Sequence, residues 1–211
     1  MAETVGPALE AEQLHLWRGS KHVLRGVSFR AAAGDLIHVR GPNGCGKTTL
    51  LRTLAGFLWP EQGRLYWAGA PIEADRDGYG ATVAYLGHEN ALKADLTPYE
   101  NLRYAAGIRH PTARPAIEAA LARLGVTGQM DLPVRALSAG QRRRAAMARV
   151  LLARARLWLL DEPFTNLDAG GVRDLSAIVV EHVRAGGIAL LTAHAELDLP
   201  GAAVRRLELA Q

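Results

Sequence analysis

Hydrophobic and polar residues alternate in blocks along the chain, and their spacing predicts a mixture of strands and helices. Two short runs near the N-terminus, Leu14–Trp17 and Val27–Arg30, are separated by turn-forming residues and predict a small antiparallel β layer. The run Leu36–Arg40 predicts another strand. A glycine-rich loop follows it, and then a leucine-striped helix that ends near Gly56. This part of the sequence therefore predicts a strand, loop and helix unit beside a β layer.

The middle of the chain has a helical pattern with few strand signals, from Thr97 to about Arg154. Thr97 and Glu100 have the spacing of a capping box, which marks the start of a helix. Beyond this region, Leu157–Asp161 and Ile188–Thr192 predict strands with an amphipathic helix between them. Because parallel strands are joined by long crossovers that helices supply, this alternation predicts an α/β fold with a mainly parallel sheet.

Composition and charge narrow the class of protein. Hydrophobic residues make up 49% of the 211 residues, so the chain can bury a sizeable core. The N-terminus lacks a signal-peptide pattern and no long apolar stretch is present, so we expect neither secretion nor a fused membrane span. The single cysteine, Cys45, fits a reducing cytoplasm. The net charge is +4, but the arginines are scattered apart from Arg142–Arg144, and no nucleic-acid partner is expected.

The loop after Leu36–Arg40 matches the complete phosphate-loop pattern, a glycine, four residues, and then glycine, lysine and threonine. Backbone N–H groups of such a loop, and the N-terminus of the helix that follows, attract phosphate. Lys47 adds a mobile cation, and the hydroxyl of Thr48 is suited to Mg²⁺. Cys45 occupies a variable position and is interpreted as a small filler. The predicted nucleotide-binding residues of the loop are Gly41, Pro42, Asn43, Gly44, Cys45, Gly46, Lys47, Thr48 and Thr49.

Two acidic residues, Asp161 and Glu162, end the apolar strand beyond the helical region and resemble the Walker B strand of nucleotide hydrolases. Asp161 is predicted to hold Mg²⁺, directly or through water, and Glu162 to act as general base toward the attacking water. His194 follows the next strand after one alanine. It is predicted to contact the γ-phosphate and orient the water, although a lone histidine in such a position is more often a surface residue.

In their order along the chain, these motifs resemble the nucleotide-binding subunits of ABC transporters over essentially the whole sequence. The family's signature corresponds to LSAGQ at Leu137–Gln141, and its D-loop to TNLD at Thr165–Asp168. Ser138 and Gln141 have capping-box spacing, so the helix start offers backbone donors and a positive dipole to an anion. The predicted nucleotide contacts in these segments are Ser138, Ala139, Gly140, Gln141 and Asp168.

The resemblance implies one ABC ATPase domain over residues 1–211, with a RecA-like P-loop NTPase core, an N-terminal antiparallel β layer and an inserted α-helical subdomain. Residues 1–90 and 156–211 would form the core and β layer, and residues 91–155 the helical subdomain. Two chains would pack head to tail around two ATP molecules as a homodimer, with each signature acting in trans. Arg142–Arg144 would either support that interface or form a solvated helix face. The residues expected to act in ATP hydrolysis are Lys47, Glu162 and His194.

Two positions depart from the pattern of that family. The Q-loop glutamine that contacts Mg²⁺ is replaced by His88, with Glu89 beside it, which makes His88 a candidate metal ligand. The aromatic residue that stacks on adenine falls at Arg18, next to Trp17. Either side chain has a plane that stacks on a base, so both are candidates.

The segments LSAGQ, GHENALKADLTPYENL and LWLLDEPFTNLD look most like the CcmA-type ATPases of cytochrome c maturation. This resemblance implies a haem-handling complex with membrane-spanning permease subunits of the CcmB and CcmC type, and a cytoplasmic chain peripheral to the inner face of the cell membrane. The helical subdomain, including Leu92–Asn101, is the candidate docking surface. The alternatives are another small-molecule ABC transporter, a soluble ABC ATPase acting on nucleic acid or ribosomes, and a binding module without catalysis. The last is disfavoured because Lys47, Asp161, Glu162 and His194 are all present.

Overall fold

The computed structural model describes residues 8–193, 196–197 and 199–209, and this part of the chain contains nine strands and six α-helices. The strands are β1 (Leu9–Arg18), β2 (Lys21–Ala31), β3 (Leu36–Arg40), β4 (Gln62–Trp67), β5 (Ala70–Pro71), β6 (Val83–Leu86), β7 (Leu157–Leu160), β8 (Ile188–Thr192) and β9 (Val204–Glu208). The helices are α1 (Lys47–Leu54), α2 (Arg76–Thr82), α3 (Pro98–Arg109), α4 (Arg114–Arg123), α5 (Ala139–Leu152) and α6 (Ala169–Arg184).

The first sheet is antiparallel, with its strands in the order β2, β1, β4, β5. Leu9 of β1 pairs with Ala31 of β2 on one side and with Trp67 of β4 on the other. The strands are longer than the hydrophobic runs that predicted them, because polar residues of β1 and β2 alternate toward solvent. The predicted antiparallel layer is confirmed.

The second sheet is parallel throughout, with its strands in the order β6, β7, β8, β3, β9. Strand β7 is buried along its whole length. Leu157 and Leu159 pack in a core shared with α1 and the antiparallel sheet, whereas Trp158 and Leu160 pack in a core shared with α3 to α6. Since successive side chains of a strand point to opposite faces, both faces of this sheet are covered. The predicted α/β fold with a parallel core is confirmed.

Local sequence signals mark the start of α3 and the end of α4. Thr97 caps α3, because its side chain accepts a hydrogen bond from the N–H of Glu100 while the Glu100 carboxylate accepts one from the N–H of Thr97. After α4, the φ of +66° at Gly125 turns the chain out of the helix. The division of the chain into a core and a helical subdomain at residues 91–155 stays a prediction. Within the described ranges, no helix is both long and apolar enough to cross a membrane.

Candidate nucleotide site

Three parallel strands bring polar groups to one edge of the second sheet. Strand β3 leads into the glycine-rich loop, β7 leads into Asp161 and Glu162, and β8 ends at Thr192. Because β7, β8 and β3 are neighbours in the sheet and run parallel, their carboxyl ends lie side by side. Motifs that are far apart in the sequence therefore meet at this edge.

The glycine-rich loop turns tightly between β3 and α1. Gly46 precedes α1 with a φ of +108°, and a Cβ at this position would lie 2.8 Å from Cγ1 of Val23. Backbone conformation and packing therefore both exclude a side chain here. The ammonium group of Lys47 donates hydrogen bonds to the carbonyl oxygens of Gly41 and Pro42, at 2.7 and 3.1 Å. These contacts hold the cation over the loop, beside the N-terminus of α1.

A cleft of about 530 Å³ opens beside this loop. Its lining includes Lys47 and Thr48 from the loop, Arg18 and Lys21 from the β1–β2 hairpin, and Glu162 from the end of β7. Three cations and one carboxylate therefore surround a space next to the phosphate loop. This charge balance favours an anionic ligand.

The two candidates for stacking on adenine lie in different places. Arg18 lines the cleft. The ring of Trp17 stacks on the ring of His22, with centroids 3.9 Å apart and planes at 8°, and Trp17 does not line the cleft. The structure thus separates two neighbouring residues that the sequence could not distinguish, and their roles stay predictions.

Asp161 is buried, and its carboxylate accepts hydrogen bonds from two hydroxyl groups. Thr48 donates to Oδ2 and Thr192 donates to Oδ1, each at 2.7 Å. The same Thr192 oxygen accepts a hydrogen bond of 2.9 Å from the backbone N–H of Glu162. These contacts join α1, β7 and β8 across the sheet edge. The Thr48 hydroxyl and the Asp161 carboxylate are hard oxygen donors of the kind that Mg²⁺ prefers.

Glu162 has a left-handed backbone conformation, with a φ of +49°. For a residue with a side chain, such a conformation costs about 1–3 kcal/mol and persists only where the surroundings impose it. Its Oε2 lies 3.4 Å from Oγ1 of Thr165 and 4.0 Å from Nδ1 of His88. The backbone turn takes the carboxylate out of the line of β7 and to the wall of the cleft.

Two histidines were predicted for the site, and the structure describes one of them. His88 follows β6, its side chain is 72% exposed, and it lies beside Glu162. The hydroxyl–carboxylate pair of the candidate metal site is formed by Thr48 and Asp161 instead, so a metal role for His88 stays a prediction. His194 lies outside the described residues, and its contact with a γ-phosphate also stays a prediction.

The signature segment forms the first turn of α5. Ser138 accepts a hydrogen bond from the N–H of Gln141 at 3.2 Å, and the Gln141 side chain accepts one from the N–H of Ser138 at 2.8 Å. The predicted capping box is confirmed. The N–H groups of Ala139 and Gly140 precede the first intrahelical donor, Arg142, and so remain available to an anion. Residues 138–141, which the structure describes in full, do not line the cleft of their own chain.

The D-loop packs against the start of α5. A Cβ on Gly140 would lie 2.6 Å from the carbonyl oxygen of Asn166, so a side chain is excluded at this signature position. Asp168 caps α6 and accepts hydrogen bonds from the N–H of Gly171 at 2.8 Å and from Arg144 at 2.6 Å. These contacts, the Gly171 bond first, lower the pKa of Asp168. The signature and the D-loop therefore form one continuous surface.

The arginine triplet after the signature includes a side chain that the sequence analysis placed wrongly. Arg143 belongs neither to a solvated helix face nor to an exposed interface, because it is 3% exposed and lies among backbone carbonyl groups at the end of β7. Burial lowers the pKa of its guanidinium, while the charges of Asp161 and Glu162 raise it.

Three residues of the site were not singled out from the sequence. Thr192 carried a signal, because it ends a predicted strand next to the acidic one. Lys21 lines the cleft and donates to the carbonyl oxygen of Gly44, but only the pairing of β1 with β2 places it there. Arg143 carried no signal, since two arginines flank it in the sequence.

A phosphate loop, a buried acidic strand end and a capped helix start on a parallel α/β core define the protein as a P-loop nucleotide-binding protein. The chain matches the ABC transporter family over residues 24–165, which include the phosphate loop, the signature and the acidic pair. The chain belongs to the ABC transporter family. ATP is therefore its nucleotide, and the chain is an ATPase of this type.

Two relatives that are similar over most of this chain have the same protein name. The cytochrome c biogenesis ATP-binding export protein CcmA of Nitrosococcus oceani is 44% identical over 209 residues, covering 99% of this chain and 95% of the relative. The protein of the same name from Aromatoleum aromaticum is 47% identical over 190 residues, covering 89% of each chain. An ABC transporter ATP-binding protein from Pyrococcus furiosus has a similar structure, with a TM-score of 0.82, 25% identity, and coverage of 96% of this chain and 97% of that one. The resemblance to CcmA-type ATPases is confirmed.

Proposed function

We propose that this chain hydrolyses ATP to power an ABC transporter complex of cytochrome c biogenesis, in which haem or a haem-loaded chaperone is handled. One observation carries the chemistry: Asp161 is hydrogen-bonded to the phosphate loop through Thr48, and Glu162 lines the same cleft. This arrangement supports a single site for phosphate, metal and water activation. The near full-length similarity to proteins named CcmA supports the biological assignment.

The phosphates of ATP would bind in the loop Gly41–Thr49. The N–H groups of this loop and the N-terminus of α1 favour an anion there. Lys47, which donates to loop carbonyl oxygens, would donate to phosphate oxygens when ATP binds. Arg18 would stack on the adenine from the hairpin side of the cleft, with Trp17 as the alternative.

Mg²⁺ fits the oxygen donors at the sheet edge, and Thr48 and Asp161 would hold it. Mg²⁺ usually binds through one or two carboxylates together with substrate phosphates and water. In the part of the chain that the structure describes, no cluster of three or more His, Cys, Asp and Glu side chains could hold a metal ion by itself, which agrees with a site completed by the nucleotide. The bound ion would neutralise charge on the phosphates.

Glu162 is the proposed general base. Asp161 is buried and its carboxylate accepts hydrogen bonds from two hydroxyl groups. These bonds would keep the carboxylate beside the metal ion, so Glu162 and not Asp161 would accept the proton. Glu162 reaches the wall of the cleft, where a water attacking the γ-phosphate can donate its proton to Oε1 or Oε2. His194 would orient this water, as proposed from its position after β8.

The second anion contact would come from another copy of the chain. The N–H groups of Ala139 and Gly140 lie outside the capping box, and residues 138–141 do not line the cleft of their own chain. A head-to-tail homodimer would place this helix start and Asp168 against the ATP held by the partner's phosphate loop. ATP would then hold two chains together, and hydrolysis would release them.

A membrane-spanning partner would dock in a groove between β6 and helices α3 and α5. The groove has a volume of about 750 Å³ and is lined mainly by apolar residues, among them Leu102 and Val150. Ile108 on its wall is 73% exposed and Phe57 is 58% exposed. The predicted docking segment Leu92–Asn101 leads into α3, which forms one wall of the groove. Partners of the CcmB and CcmC type would hold the chain at the inner face of the membrane through the helical subdomain.

Complementation of a strain that lacks this chain tests the proposal. Wild type should restore c-type cytochromes, measured by covalent haem staining, whereas Glu162→Gln should accumulate and bind ATP without restoring them. Loss of a general base is expected to reduce turnover of the purified chain by about 10²- to 10⁴-fold. Glu181→Gln is the control, because Glu181 is exposed and, among the described residues, forms an ion pair with Arg123.

A different experimental result would contradict each part of the proposal. Normal c-type cytochromes in the strain without the chain would refute the cytochrome assignment and favour another small-molecule transporter. Restoration by Glu162→Gln would refute the role of Glu162. Turnover that depends on added nucleic acid would favour the soluble alternative.

A further inference from the structure

Arg143 of α5 binds three consecutive backbone carbonyl groups at the end of β7. Its Nη2 donates to the oxygens of Asp161 and Glu162, at 2.5 and 2.8 Å. Its Nε donates to the oxygen of Pro163 at 3.3 Å. A guanidinium has five N–H donors in a fixed planar fork and can serve this row and further acceptors at once, whereas an ammonium has three donors and a side-chain amide has two.

The other side of the same guanidinium binds the segment after β6. Nη1 donates to the carbonyl oxygen of Gly87 at 2.8 Å and to Oδ1 of Asn90 at 3.1 Å. This segment also carries His88, which lies beside Glu162. One side chain of α5, the helix that begins at the signature, therefore joins the segment that carries the acidic pair to the segment that follows β6.

These contacts coincide with the one strained residue of the acidic pair. Glu162 has a φ of +49°, and its carbonyl oxygen is among the acceptors of Arg143. A left-handed conformation at a residue with a side chain persists where surrounding contacts impose it. Thr192 binds the N–H of Glu162 and Arg143 binds its C=O, so both polar backbone groups of this residue are held.

We propose that Arg143 is a positioning residue for ATP hydrolysis, which holds the backbone of Glu162 in the conformation that directs its carboxylate into the cleft. This inference rests on the proposed role of Glu162 as general base. Arg143 does not line the cleft, so its loss should affect the hydrolytic step and not the binding of ATP. Because Arg143 is part of α5, it also makes the position of Glu162 depend on the position of the signature helix.

Kinetic comparison of Arg143→Met and Arg143→Lys with wild type tests the inference. Arg143→Met should lower kcat by about 10- to 100-fold, since a misplacement of about 1 Å in a reacting group can cost about 10²-fold. The dissociation constant of a fluorescent ATP analogue should change by less than about threefold. Arg143→Lys, which keeps the charge and some of the donors, should recover part of kcat. Arg205→Met is the matched control, because Arg205 also donates to a backbone carbonyl, that of Arg30, but on the edge strand β9.

Amide hydrogen exchange gives a readout that does not depend on turnover. Peptides covering residues 159–166 and 85–91 should exchange faster in Arg143→Met than in wild type, and less so in Arg143→Lys. Arg205→Met should leave both peptides unchanged. Unchanged exchange in these peptides would overturn the inference, as would a folded Arg143→Met with wild-type kcat, or a loss of ATP affinity that accounts for the whole effect.

The parallel measurement on Glu162→Gln separates this inference from the proposed function. If Glu162→Gln hydrolyses ATP as wild type does, the role of Glu162 as base fails, and Arg143 has no base to position. If Glu162→Gln is inactive while both Arg143 variants keep wild-type kcat, the role of Arg143 alone fails.

Discussion

Asp161 and Glu162 are adjacent in the chain, yet their surroundings give them different chemistry. Asp161 is 3% exposed and is fixed by two hydroxyl groups, which suits a carboxylate that stays in place beside a metal ion. Glu162 is turned into the cleft by its backbone, which suits a carboxylate that accepts a proton from water. The difference in direction between the two side chains depends on backbone contacts: the Thr192 hydroxyl oxygen accepts from the N–H of Glu162, and the Arg143 guanidinium donates to the carbonyl oxygens of Asp161 and Glu162.

Thr192→Val should destabilise the protein and slow hydrolysis. Valine has the same shape but no hydroxyl, so a buried Asp161 oxygen and the N–H of Glu162 lose their partner. Leaving buried polar groups unpaired costs about 1–3 kcal/mol, and we expect a loss of this size in urea denaturation together with a lower kcat. Thr53→Val is the control, because the buried Thr53 hydroxyl donates to the backbone carbonyl oxygen of Thr49 within the same helix. Equal stability losses in the two variants, with kcat unchanged, would contradict the role of Thr192.

The candidate site residues were easier to identify from the sequence than the residues that hold them in place. Lys47, Thr48, Asp161 and Glu162 could be predicted because a chemical reason ties each residue type to its place in a motif. Arg143 could not, because its partners are carbonyl groups, which every residue has, in two segments distant in the sequence. Only the packing of α5 against the ends of β6 and β7 brings them together.

Helix α6 covers β7 with a face that includes a half-buried histidine. His182 stacks on Trp158 of β7, with ring centroids 3.8 Å apart and planes at 5°. Burial lowers the pKa of His182, and its hydrogen bonds to backbone oxygens only partly oppose this effect. The neutral imidazole is therefore part of the packing between this helix and the central region of the sheet.

The stability of the protein should fall as the pH falls below the ordinary histidine pKa of about 6.5. Above that pH His182 is neutral in both the folded and the unfolded chain, so it adds no pH dependence. Below it the unfolded chain takes up the proton first, because the folded-state pKa is lowered, and the folded state loses free energy relative to the unfolded state.

His182→Phe should reduce this dependence, because phenylalanine keeps the stacking on Trp158 and does not titrate. Urea denaturation at pH 7.5 and 5.5 measures the difference. The loss of stability between these two pH values should be smaller in the variant, although not zero, since burial also lowers the pKa of His38. An equal loss in both proteins would show that His182 does not contribute.

Helices and strands that a short sequence motif or hydrophobic run marks were predicted from the sequence. The predicted strand Leu36–Arg40 has the bounds of β3, and the capping boxes that begin α3 and α5 are both present. Helix α2 was not predicted, because Gly78 and Gly80 interrupt its pattern, and its N-cap contact from Gly78 to Asp75 stabilises it instead. Strand β5 has only two residues, too few for a periodic pattern.

In the proposed function, each chain carries two unlike surfaces for ATP. The cleft beside the phosphate loop supplies Lys47 and Glu162, and the start of α5 supplies the N–H groups of the signature. The sequence predicted both surfaces, and the resemblance to ABC transporter subunits implied that they meet between two chains. In the described residues they lie apart, since residues 138–141 do not line the cleft, and this separation favours a site completed by a second chain.

The molar mass and nucleotide content of the Glu162→Gln chain with ATP and Mg²⁺ test this arrangement most directly. Light scattering should give the mass of two chains holding two ATP molecules, since binding continues while hydrolysis stops. Adding Ser138→Arg to the same chain should give single chains that each bind one ATP, because the phosphate loop is intact and the signature surface is blocked. A single Glu162→Gln chain saturated with ATP, or a dimer that persists with Ser138→Arg, would contradict the proposal that two copies enclose each nucleotide.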